Sequence, residues 1–166
     1  MKPKYQAACR PTIQGMRALV MAAYGKRLKI RLFTSGLICA MAAGFVFYTR
    51  AKPLSVIILA LALAFAWFFL KSRDRMAEKL LAASPNQALV TEFRFMDDAL
   101  YTHNSLEDTV IAYSDLLRCA EGKEFFSFYL KDGGAFAIGK KDFSLGDPAR
   151  FAGFLKNKTG REVLRG

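Results

Sequence analysis

His103 is the only histidine in the chain, so the side chain best suited to general acid–base work at neutral pH is available at one position. It sits inside a short alternating segment, Leu100-Tyr101-Thr102-His103, where a surface or pairing role is expected and catalysis is not. Cys9, Cys39 and Cys119 show no C-x-x-C spacing, so neither a zinc site nor a redox pair is signalled. The paired acids Asp97-Asp98 and Glu107-Asp108 fall in segments that read as turns, where Asp serves the backbone. Lys140-Lys141 could contact lipid-headgroup phosphates, although a solvated pair beside Asp142 is the plainer reading. No G-x-x-x-x-G-K-[ST], G-x-G-x-x-G or G-x-S-x-G is present. No catalytic, cofactor-binding or metal residue is therefore expected, and the chain does not read as a stand-alone enzyme.

The elements around these residues divide sharply by charge. The chain has 166 residues, a net charge of +11, 53% hydrophobic residues and 15 Phe. That apolar content excludes a disordered chain, and three cysteines do not make a disulfide scaffold. Residues 1–31 carry eight basic residues and no acid, whereas residues 85–166 carry eleven basic and twelve acidic. The positive charge thus belongs to the N-terminal half.

Residues 32–48 and 54–70 are two runs free of charge, separated by Thr49-Arg50-Ala51-Lys52-Pro53. As helices each would rise about 26 Å, against a hydrocarbon core of about 30 Å. The second run is apolar on every face, which a soluble domain of this size could not cover. Both are therefore expected to cross a membrane, as a two-helix hairpin over 32–70. The first apolar run begins at position 32 and a second follows, so a cleaved signal peptide is not expected. Arg17, Lys26, Arg27, Lys29 and Arg31 precede the hairpin and Lys71, Arg73, Arg75 and Lys79 follow it, while only Arg50 and Lys52 lie in the loop. The positive-inside rule then puts both termini in the cytoplasm. No ionisable residue interrupts either run, which argues against a transporter or channel.

Gly36, Ala40 and Gly44 recur every four positions on the first run, as Ala60 and Ala64 do on the second. Such faces let helix backbones approach, and pairing within the hairpin is preferred over dimerisation. Residues 1–31 read as a basic, partly helical cytoplasmic arm with an apolar face of Ile13, Met16, Val20 and Tyr24. It is taken as a positive-inside flank running into the first membrane helix, ahead of a lipid-recruiting device. No basic surface interleaved with aromatics accompanies it, so nucleic acid is not an expected partner.

Residues 71–85 read as a linker and 86–160 as a separate α+β domain, followed by a tail over 161–166. Strands are expected around 89–95, 100–103, 110–113, 117–119, 125–130 and 136–138, from their period of two and the intervening turn residues. Five or six short antiparallel strands in meander order result. A last helix is framed by Asp147 as N-cap, Pro148 at the first helical position and Gly160 as terminator. Phe151, Phe154 and Leu155 share one face of that helix, suited to plug the open end of a curved sheet.

Thr109-Val110-Ile111-Ala112-Tyr113-Ser114-Asp115-Leu116 is similar to the strand and "W/Y-x-D-I" step of the YcxB-like family of bacterial membrane proteins. Phe136-Ala137-Ile138-Gly139-Lys140-Lys141-Asp142-Phe143 is similar to its "I-P-K-R-x-F" stretch, with Gly139 where the family usually has Pro. The resemblance implies a pleckstrin-homology-like cytoplasmic domain and no established activity. Two functions are consistent with these readings. One is a membrane-anchored, non-enzymatic interaction module whose partners are the lipid bilayer and a protein, a second copy of the chain among the candidates. The other is an accessory subunit of a membrane enzyme or transport complex whose chemistry lies in another chain.

Overall fold

The computed structural model describes residues 2–49, 53–84 and 88–165. The expected turn residues Arg50 to Lys52 and the punctuating Pro85-Asn86 lie outside the described residues. Strand β1 (Tyr5–Cys9) comes first, then two long helices, α1 (Ile13–Tyr48) and α2 (Pro53–Ala83). Strands β2 (Thr91–Phe95), β3 (Ala99–His103) and β4 (Asp108–Ala112) follow, then β5 (Leu116–Glu121), β6 (Phe125–Leu130), β7 (Ala135–Gly139) and β8 (Phe143–Leu145). Helix α3 (Pro148–Thr159) and the short β9 (Leu164–Arg165) close the chain. The fold is α+β, with one strand ahead of two long helices, then mainly antiparallel sheets and a C-terminal helix.

Two compact units result, Met1–Ala23 with Ala77–Gly166, and Tyr24–Met76. The first holds both sheets, in the orders β4-β3-β2-β1-β8 and β7-β6-β5-β9. Its core is aromatic: Phe95, Phe126, Phe128 and Phe151 are fully buried with Leu100, Leu116, Ile138 and Leu155. Helix α3 starts as its sequence dictates. The Asp147 carboxylate accepts the Ala149 N–H at 2.9 Å, and Pro148 follows it. Gly160 ends the helix at φ 65°, its N–H donating to the Lys156 carbonyl. Phe151 and Leu155 then point into the sandwich, with Phe154 half-buried beside them.

Three expectations are corrected here. Residues 1–31 are not an arm apart from the domain. Tyr5 to Cys9 pair residue by residue with Phe95 to Thr91, so β1 is an inner strand of the five-stranded sheet. The face Ile13, Met16 and Val20 packs with Leu19, Ala77, Leu81, Tyr129 and Ala137, while Tyr24 is exposed. Residues 71–83, read as linker, are the continuation of α2. The strands from Thr91 onward form two sheets and include β8 and β9, and β9 pairs parallel with β5. These two strands have three and two residues, too few for any period to show.

Gly139 has φ −70° and ψ 139°, an extended backbone that any residue adopts, and a Cβ there would press on the Asp142 carboxylate, which would have to turn away. Gly146 is different. Its φ is 88°, and a Cβ there would lie 2.2 Å from the Tyr5 ring.

The second unit holds the apolar parts of α1 and α2. Among the described residues, one helical stretch, Lys29–Tyr48, is long and apolar enough to cross a membrane, and Val56–Phe68 is a shorter apolar stretch. Within this unit Ser35 and Ala42 of α1 are buried, Cys39 and Val46 half-buried, and Ala62 of α2 buried. The Cys39 thiol donates to the Ala62 carbonyl at 3.4 Å. Gly36, Ala40, Gly44, Ala60 and Ala64 are all exposed, and a Cβ on Gly36 or Gly44 would meet nothing within 4 Å. The expected small-residue contact is therefore replaced by a face one position round the helix. Ser35 can occupy it because its hydroxyl is satisfied by the Leu32 carbonyl at 2.9 Å.

Candidate functional site

Strands β1 and β2 reach both ends of the sandwich. At one end Tyr5 and Phe95 meet α3, and at the other Cys9 and Thr91 border a half-open cleft of about 260 Å³. Its floor is apolar, with Phe93, Ile111 and Phe136, the Phe93 and Phe136 rings stacked at 5.0 Å. Its rim carries Thr12, Thr91, Thr102, Asn104, Glu107 and Thr109.

Most of the rim is committed to local structure. Thr12 caps α1, its hydroxyl accepting the Gly15 N–H at 3.1 Å. The Asn104 side chain accepts the N–H groups of Leu106 and Glu107 at 2.8 and 2.9 Å, an Asx turn that shapes the β3–β4 connection. Thr102 donates to the Thr109 carbonyl at 3.2 Å and Thr109 to the Glu107 carboxylate at 3.1 Å. No Lys, Arg or His is among the described lining residues, and Glu107 adds negative charge. The described lining therefore offers a phosphate no basic partner. Cys9 supplies no nucleophile either. Its thiol donates to the Ala137 carbonyl at 3.7 Å, and burial, with the Asp142 charge adding to it, pushes its pKa up to about 12.

Sequence reasoning did not single out the four threonines of this rim. Pro11-Thr12 ahead of an apolar run is a readable cap signal. The convergence of the others is not local, because it follows from the pairings Cys9 with Thr91 and Thr102 with Thr109.

Lys140 and Lys141 are separated by their partners. Lys140 Nζ lies 2.7 Å from Glu121 Oε1 and over the Phe126 ring, 5.1 Å from its centroid, while Lys141 is exposed. The pair spans β5 and the turn after β7, and it is less than one-third exposed on both sides. A headgroup would have to displace Glu121 to reach Lys140.

His103 and Asp108 are exposed partners across the β3–β4 pair. Asp98 accepts from the Tyr101 hydroxyl at 2.9 Å. Asp97 binds Lys4 and Lys158, each at 2.7 Å. Asp97 and Asp98 lie in the turn between β2 and β3, whereas Asp108, expected in a turn, opens strand β4. No cluster of His, Cys, Asp or Glu able to hold a metal exists among the described residues. Cys119 is buried, and burial raises its thiol to about 11 against a lowering by Arg161.

Comparison with known families adds one finding. The family model of YcxB-like protein matches residues 95–155. This segment is YcxB-like. The match begins at the last residue of β2 and ends at Leu155, one of the two buried residues of α3, so it contains both segments that carry the resemblance in sequence. Strand β1 and helices α1 and α2 lie outside the YcxB-like segment, although β1 completes its sheet. No curated protein and no solved structure matches the chain.

Proposed function

We propose that the chain is a membrane-anchored, non-enzymatic interaction module. Residues 32–48 and 54–70 form its transmembrane hairpin, both termini are cytoplasmic, and the β unit is a pleckstrin-homology-like domain presented to a protein partner. One observation carries the reading. The apolar stretch Lys29–Tyr48 is only 11% buried, with Phe33 75% and Phe47 90% exposed. Surface of this kind is an aggregation liability in water and is covered by lipid in a membrane. Lys71 lies over the Trp67 ring at 5.5 Å and Arg75 over Phe68 at 5.3 Å, a cationic–aromatic border of the sort found at headgroup depth.

Two packed antiparallel sheets with a C-terminal plugging helix support the pleckstrin-homology-like reading. A protein ligand is favoured over a headgroup. The cleft is anionic at its rim, and the one lysine of the pair nearest the core is held by Glu121. Attachment to the bilayer is already supplied by the helices.

Topology is tested with single cysteines at Thr49 and Asn157 in a background without native thiols, using an impermeant maleimide on intact cells. Labelling at Thr49 alone is expected; labelling at Asn157 but not at Thr49 would overturn the hairpin. Flotation of the protein's β unit with anionic liposomes tests the ligand class. Binding at micromolar lipid that Lys140→Glu with Lys141→Glu abolishes would establish a headgroup site.

A further inference from the structure

The two sheets end in β4, β8, β7 and β9, and the four edges are treated differently. Strand β8 has three residues and a shifted register with β1, and β9 has two. The β7 edge is approached by α1 and β1, since a Cβ on Gly15 would lie 3.4 Å from the Ala137 Cβ and the Cys9 thiol reaches the Ala137 carbonyl. Strand β4 has five residues, pairs with β3 without a register shift, and contains no Pro, Gly or Lys. Every β4 residue but Ile111 is exposed, and Val110 is 59% so. Short length, bulges, charged side chains and covering segments are how edges are protected from pairing; among the described residues β4 has only the charge of Asp108, at its first position.

The alternation of the hairpin identifies the free groups. The Asn104 N–H donates to the Glu107 carbonyl at 3.1 Å, so the hydrogen-bonded pairs continue at Thr102–Thr109 and Leu100–Ile111. Asp108 and Val110 belong to the other set and turn their N–H and C=O groups to the open edge. Concave surface flanks that edge on both faces. Ile111, Leu130 and Asp115 line one side, and Tyr101, His103 and Asp108 the other. Alternate side chains of an added strand would fill the two sides in turn.

We propose that β4 pairs antiparallel with β4 of a second copy, about a two-fold axis at Val110. In this register Val110 faces Val110 and Thr109 faces Ile111. Asp108, the one charged residue of the strand, faces Ala112. Opposed like charges are thereby avoided and two exposed apolar side chains cover each other. A slip that centres the pair on Asp108 sets two carboxylates face to face, which selects the Val110 register. About six main-chain hydrogen bonds form, two at the Val110–Val110 pair and two at each Asp108–Ala112 pair, a small interface, so the inference rests on the membrane-anchored reading above. Confinement of both copies to one bilayer supplies the effective concentration that makes so short a pairing sufficient.

The test uses the full chain in its membrane with Cys9, Cys39 and Cys119 replaced by Ser. Val110→Cys treated with a short bismaleimide is expected to give a homodimer. Asp108→Cys and Ala112→Cys on two co-expressed, differently tagged copies should crosslink to each other, and Asp108→Cys alone should not. Val110→Pro in that pair removes a donor that faces the open edge and leaves the β3–β4 ladder intact. Val110→Lys opposes two ammonium groups at an exposed site. Each should lower the crosslinked fraction at least about tenfold. A Val110→Cys thiol that takes a monofunctional maleimide but yields no dimer would overturn the proposal. A product joined to a chain of different mass would also overturn self-pairing while leaving the protein-partner reading intact. Failure of the Thr49 and Asn157 labelling pattern would instead strike the anchored reading itself.

Discussion

The Tyr5 ring of β1 lies 4.9 Å, centroid to centroid, from the Phe151 ring of α3. The two residues precede and follow the long helices in sequence, yet they share one core with Phe95, Phe126 and Phe143. The β unit is therefore assembled from both ends of the chain, with α1 and α2 emerging between its first and second strands.

A fragment of residues 91–166 should fail to fold, because it bares the β2 edge and one side of Phe151. Cys9 and Thr91 are register partners, so an Asn-Gly turn can join them directly. Residues 4–9, Asn-Gly and 91–166 in one chain should give a soluble β unit with α3. Equal far-ultraviolet dichroism and amide dispersion from both chains would contradict the role given to β1.

Phe151→Ala should cost about 3–5 kcal/mol, since the ring is fully buried and meets six other aromatic rings. Phe154→Ala, at a half-buried ring, should cost about 1–2 kcal/mol. Chemical denaturation of the Asn-Gly-linked unit measures both. A larger loss at Phe154 than at Phe151 would refute the arrangement of the plug.

Hydrogen bonds from Lys158 and then Lys4 hold the Asp97 carboxyl below the usual carboxylate range. A native pKa below the unfolded one stabilises fully above the unfolded value of about 4 and is lost as pH falls through the native value. Asp97→Asn should therefore lower the unfolding midpoint at pH 7, and the gap from the parent should close in strong acid. A constant gap across that range would show that the tie is not electrostatic.

With the Cys9 pKa near 12, only about one molecule in ten thousand carries its thiolate at pH 8. Alkylation of Cys9 by iodoacetamide should be at least about a hundredfold faster after unfolding than before it. Rapid modification in the folded protein would mean that the strand opens at the cleft.

Much of the α+β layout was legible because its signals are local. The Asp147 cap, Pro148 and Gly160 frame α3 within a few residues, and the alternation from Phe125 to Leu130 marks β6. Strand β1 gave little signal. Tyr5, Ala7 and Cys9 alternate over a stretch too short and too basic in its flanks to stand out. The site was less legible than the fold, because its rim is brought together by pairings between distant segments.

The sequence by itself determined the charge-free runs, the segregation of positive charge to the N-terminal half, the helix caps and the strand periods. Each depends on neighbours within a turn or two of the chain. Only the tertiary structure decided that residues 5–9 join the β unit, that Ser35, Cys39 and Ala42 rather than Gly36, Ala40 and Gly44 form the helix contact, and that Lys140 is spent on Glu121. It also decided that β4 keeps an open edge. These outcomes turn on which distant segment packs against a given face. A helix with two faces of small residues, or a sheet with several candidate edges, has near-equal local preferences, and long-range packing separates them.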